Sequence, residues 1–151
     1  MRFTKKAALT QLVVVLALFA LLIPFAIWDS NSQVKVTFDD TAIYAASDRY
    51  NMTIRYDEID SIELAELAEP GEKVQDGFDD KIIRTGIWRN DAWGNYYITA
   101  DLDATNCVLL HLKDGRLFVI SRKNNAATEE VYNTLLSHLS KYSRRTTHIH
   151  L

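Results

Sequence analysis

Residues 7–28 contain no charged side chain, and no other feature constrains the chain as strongly. At about 1.5 Å per residue a helix of this length reaches about 33 Å, enough to cross a hydrocarbon core of about 30 Å. Thirteen of these residues are Leu, Ile, Val or Phe, which at about 0.3 to 0.6 kcal/mol each favour insertion by about 4 to 8 kcal/mol. A cleavable signal peptide is the rival reading, but its apolar region is shorter, about 7 to 15 residues, and ends in small residues. Here the run closes on Phe25, Ala26, Ile27 and Trp28. A tryptophan at the interface after bulky neighbours reads as an uncleaved transmembrane anchor.

Arg2, Lys5 and Lys6 precede the run, whereas Asp29 follows it and the next base is Lys35. By the positive-inside rule residues 1–6 stay cytoplasmic and everything after residue 28 lies outside, which predicts a single-pass cell-membrane protein with an extracytoplasmic domain. Without those three residues the 17 basic side chains fall to 14, against 20 acidic ones. An acidic balance of that kind excludes a nucleic-acid binder, which needs a basic face to neutralise phosphates. Cys107 is the single cysteine, so no intramolecular disulfide and no multi-cysteine metal site can form.

Residues 29–32 are a short polar linker, and the remainder is of single-domain size. Val34, Val36 and Phe38 alternate with Lys35 and Thr37, and after Asp39-Asp40 a second strand is expected at 41–46. Met52, Ile54 and Tyr56 repeat the alternation with Thr53 and Arg55 outward. Residues 59–67 read as a further strand carrying Ile62 and Leu64, with helix as the competing reading because Ala, Glu and Leu favour it. The polar stretch from Glu69 to Asp80 reads as a mobile loop. Strand character resumes over 81–84, a turn-rich segment with two tryptophans fills 86–94, and 96–102 forms another strand. Residues 107–112 and 116–120 flank Lys113-Asp114-Gly115, a strong hairpin signal.

Beyond Ser121 the period changes. Ala127, Val131, Leu135, Leu139 and Tyr142 fall on one face of a predicted amphipathic helix that closes the domain, with Asn125 as its N-cap and residues 143–151 as a flexible tail.

The order of elements resembles the bacterial pleckstrin-homology-like domains of small membrane proteins. The resemblance covers about residues 33–142 and rests on Tyr56-Asp57-Glu58-Ile59-Asp60-Ser61-Ile62, on Gly86-Ile87-Trp88 and Trp93-Gly94, and on 108–121 running into the helix. It implies a mainly β domain, a bent β sandwich or partly open barrel with one C-terminal α-helix, used for binding and not for catalysis. Eukaryotic relatives hold lipid phosphates with basic residues in the first hairpin loop; here that loop is Phe38-Asp39-Asp40-Thr41, and its acidity speaks against a phosphoinositide.

No Gly-rich phosphate loop, nucleophile elbow or zinc spacing is present, so the sequence reads as a non-enzymatic chain without cofactor or metal. Asp39-Asp40 and Asp79-Asp80 read as turn residues. Trp88, Trp93, Tyr96 and Tyr97 form the candidate partner-binding cluster, since crowded aromatics anchor partners as readily as they fill cores. The expected function is a membrane-tethered interaction module, held in the bilayer through residues 7–28 and scaffolding another membrane or envelope protein. A carrier of a small apolar ligand is the alternative.

Overall fold

The computed structural model describes residues 34–148; the predicted anchor, the linker and residues 149–151 lie outside the described residues. The described chain is mainly β, with nine strands in two sheets and one C-terminal helix.

Strands β1 (Lys35–Phe38), β2 (Ala42–Ala46) and β3 (Asn51–Arg55) make an antiparallel three-stranded sheet in the order β1-β2-β3. The period-two pattern does what it predicts: Met52 and Ile54 are buried while Asn51, Thr53 and Arg55 are exposed. A single 3-10 turn (Tyr56–Glu58) then leads into the second sheet, whose strands are β4 (Ile59–Glu66), β5 (Glu72–Asp79), β6 (Ile83–Asn90), β7 (Gly94–Asp101), β8 (Asn106–Leu112) and β9 (Leu117–Ile120). Their spatial order is β4-β8-β9-β7-β6-β5. The β8–β9 hairpin inserts between β4 and β7, so β9 runs parallel to β7 while every other pair is antiparallel.

That order puts β4 and β5 at opposite edges, about 24 Å apart in a flat sheet at the usual strand spacing. Residues 67–71 must join them, and the chain from Glu66 to Glu72 spans at most about 22 Å when extended. Glu66 also lies at the end of the sheet where β5 finishes, not where it starts. The sheet must therefore curl. The joining segment crosses its concave face, where the Tyr96 hydroxyl donates to the Pro70 carbonyl at 2.7 Å and the Leu67 N–H donates to the Thr105 carbonyl at 2.7 Å.

Two cores result. One fills the concave face with Trp88, Tyr96, Ile98, Cys107, Leu109 and Val119. The other lies on the opposite face, between the three-stranded sheet, the larger sheet and the helix, and includes Ile43, Ile54, Leu110, Ile120 and Leu135.

The helix α1 (Asn125–His148) buries Val131 and Leu135 and half-buries Leu139 and Tyr142 against the second of these cores. Its N-cap is Asn124, not Asn125: Asn124 Oδ1 accepts the Ala127 N–H at 2.8 Å. Asn125 reaches back, its Oδ1 taking the N–H groups of Thr105 and Asn106, both at 2.9 Å, and so ties the loop over the end of β9 to the start of the helix. The helix also runs past Tyr142 to His148, so the tail expected from 143 is helical that far.

Residues 59–66 form the expected strand and not the competing helix, because β8 supplies an antiparallel partner interrupted only between Ile59 and Ser61. One further expectation changes. The expected loop over 72–79 is the edge strand β5. It escaped sequence reading because most of its side chains are exposed and its pairing with β6 is twice interrupted, so no alternation survives. Gly86 makes the irregular pairing possible: a Cβ there would collide with the Asp76 carbonyl, and its φ of +100° suits glycine. Trp88 thus sits in a strand, and only residues 91–93 form the turn.

Candidate functional site

The four candidate aromatics divide between the two faces of the larger sheet. Trp88 and Tyr96 are directly paired across β6 and β7, and both are buried in the concave core. Trp93 meets Tyr96 edge to face at 5.2 Å, and the Trp88 indole N–H donates to the Thr85 carbonyl at 2.8 Å. Burial pushes the Tyr96 phenol up to about 12. Tyr97, one residue on, points the other way as a strand requires and stacks on Phe118 at 4.7 Å. Packing thus accounts for Trp88 and Tyr96, while Tyr97 and Trp93 both keep partial exposure, each packed against the edge of a core.

Cys107 is fully buried, and burial pushes its thiol up to about 12, which removes the thiolate. Both acidic pairs serve turns. Asp39 Oδ1 accepts from the Thr41 and Ala42 N–H groups, Asp40 pairs with Arg145 at 3.3 Å, Asp79 pairs with Arg84 at 3.4 Å, and Asp80 Oδ1 accepts from the Ile82 and Ile83 N–H groups. Among the described residues no three His, Cys, Asp or Glu side chains converge on a metal-sized site.

Two open clefts lie at opposite ends of β6. The first, of about 380 Å³, is lined by Asp48, Arg49, Phe78, Asp80, Ile82 and Ile83, between the β2–β3 turn and the β5–β6 turn. Ser47 Oγ shapes the first of these turns by accepting the Arg49 and Tyr50 N–H groups at 3.3 and 3.1 Å. The Arg49 guanidinium lies 3.9 Å from the centre of the Phe78 ring. Hydrogen bonds from Ile83 and Ile82, with the nearby Arg49 charge, hold the Asp80 carboxyl below its ordinary value. Phe78 pairs with Thr85, and Thr85 with Thr99. Both threonines are fully buried, and their hydroxyls find no hydrogen-bond partner among the described residues.

The second cleft, of about 610 Å³, lies between the segment at 68–72 and the β6–β7 turn, and Glu69, Glu72, Arg89, Asn90 and Asp91 line it. Asn90 organises it, donating to the Glu69 carbonyl at 2.8 Å and accepting the Trp93 N–H at 2.7 Å. Arg89 donates to Asn95 Oδ1 at 2.7 Å and keeps its charge, and the carboxylates of Glu69, Glu72 and Asp91 outnumber it on the rim.

Sequence reading did not find either cleft. Their residues come from turns distant in the chain, and only the sheet register brings them together. No protein-family model, curated protein or solved structure matches the chain.

Proposed function

We propose that the chain is a non-enzymatic interaction module with a pleckstrin-homology-like domain, tethered to the cell membrane by residues 7–28 and acting at its outer face. The acidic cleft beside Trp93 is the observation that carries this reading. It gathers three carboxylates, from Glu69, Glu72 and Asp91, on turns braced by Asn90, and Trp93 follows the lining residue Ala92 while packing inward on Tyr96. Such a surface suits a basic segment of another membrane or envelope protein. Two sheets followed by a packed C-terminal helix support the pleckstrin-homology-like assignment, and the parallel β7–β9 pair is a departure from a plain meander. A carrier role has less support, since Trp88, Tyr96, Ile98 and Leu109 fill the concave face.

A photo-crosslinking residue in place of Ala92, in the full chain within its own membrane, tests the reading. A polypeptide adduct that disappears in the Glu72→Lys, Asp91→Lys variant is expected. An adduct indifferent to those changes overturns the partner assignment, and release of the chain by an alkaline wash overturns the tether.

A further inference from the structure

Opposite charges share the 380 Å³ cleft without neutralising each other. The Phe78 ring sets the plane of the Arg49 guanidinium, whose N–H edge donates to no acceptor among the described residues. Asp80 is held by its Oδ1, which accepts the Ile82 and Ile83 N–H groups at 2.7 and 2.8 Å, and its Oδ2 accepts no hydrogen bond among the described residues. The Arg49 charge is near enough to lower the Asp80 carboxyl, yet no ion pair joins the two. Asp48 brings a second carboxylate, while Phe78, Ile83 and Ile82, the last 49% exposed, supply apolar surface.

One guanidinium edge matches the two oxygens of a carboxylate. A phosphate group, with about 1.5 to 2 negative charges, would meet two carboxylates beside a single base. The two carboxylates suit an ammonium, whose three N–H groups all donate. A ligand with only one of these charges is repelled by the protein group of like sign and leaves the other without a complement. Both charges must also sit close together, because the volume is at the low end of the about 300 to 1,000 Å³ usual for small-molecule sites.

We propose that this cleft binds a free α-amino acid with an apolar side chain, its carboxylate on the Arg49 edge, its ammonium on Asp80 Oδ2 and Asp48, and its side chain against Ile82 and Ile83. The site is separate from the acidic cleft and does not depend on the tether.

The full chain in a maltoside detergent is titrated with leucine, with leucinamide, which keeps only the ammonium, and with N-acetylleucine, which keeps only the carboxylate. The NMR signals of the Arg49 side chain and of the Ile82 and Ile83 amides report binding. Saturable shifts with leucine are expected, with about tenfold weaker affinity for each single-charge analogue. The analogues also stand in for the first and last residues of a polypeptide, so an affinity equal to that of leucine for either one overturns the free amino acid in favour of a chain end. Glycine should bind more weakly than leucine, and equal affinities overturn the apolar contact.

Two variants separate the charges. Arg49→Ala should bind leucine and leucinamide alike, because the group that recognises the carboxylate is gone. Asp80→Asn keeps an oxygen for the two turn N–H groups and should still lose about tenfold for leucine. No saturable response to leucine in the natural chain, or leucine affinity retained in either variant, overturns the site.

Discussion

The two turns of the three-stranded sheet have similar residues and opposite fates. At the β1–β2 turn every charge is used internally. Asp39 accepts from Thr41, Ala42 and the Tyr44 hydroxyl, its carbonyl accepts the Tyr56 hydroxyl at 2.9 Å, and Asp40 reaches Arg145 on α1. The neighbouring turns join in, with the Lys113 ammonium donating to the Asp57 carbonyl at 2.8 Å. At the β2–β3 turn Asp48 and Arg49 line an open cleft instead, and the arginine rests on a ring. The difference lies in what covers each end. The helix stacks His138 on Phe38 at 5.1 Å and sets Tyr142 against Tyr56 over the first turn; the second faces the end of β5 and the β5–β6 turn across an open cleft. Closed turns contribute stability, whereas the open one leaves Asp48 and Arg49 exposed.

Loosening the cover should cost most. Leu135 is fully buried beneath the helix, so Leu135→Ala should destabilise the chain by about 2 to 5 kcal/mol through lost contacts and a residual cavity. Asn133→Ala, on the exposed face, should stay within about 0.5 kcal/mol. Denaturant midpoints of the two variants check this, and equal values would remove the helix from the core.

A smaller loss is expected at the β8–β9 turn. The Gly115 N–H donates to the Leu112 carbonyl at 2.9 Å and its φ is +91°, so the turn is a three-residue loop whose last residue alone needs the left-handed region. A Cβ there would meet nothing within 4 Å. The cost of Gly115→Val, about 1 kcal/mol or more, is therefore backbone strain alone, and an unchanged midpoint would refute it.

Acid should then separate the two turns further. The Tyr44 hydroxyl and the Thr41 and Ala42 N–H groups lower the Asp39 carboxyl from 3.8 to about 2. A depressed folded value means the stabilisation is complete above the ordinary value and is lost as pH falls through the folded one. The natural chain should lose stability between pH 3.8 and about 2, and Asp39→Asn should flatten that part of the profile, as melting curves across the window would show. Arg49→Ala should cost no more than about 0.5 to 1 kcal/mol, the worth of an exposed cation–π contact, and denaturant midpoints check it.

How much of this could be read from the sequence depends on where the information sits. Alternation revealed β1 to β3, Asp114-Gly115 marked its hairpin, and the spacing of Val131, Leu135 and Leu139 marked the helix, because each signal is local and periodic. Strand β5 was missed because a bulged, exposed edge needs no apolar face. Tyr96 and Tyr97 looked like one cluster until their register sent them to opposite sides of the sheet. Arg49 and Phe78 met only through the folding of separate turns, and Asn125 looked like a cap until Asn124 took that place.

Amide hydrogen exchange of the full chain tests the contrast between the two turns most directly. The Thr41 and Ala42 amides, held by Asp39 under the helix, should exchange more slowly than the Asp48 and Arg49 amides of the open turn. Equal rates at the two turns, or slower exchange at the open one, would contradict the account.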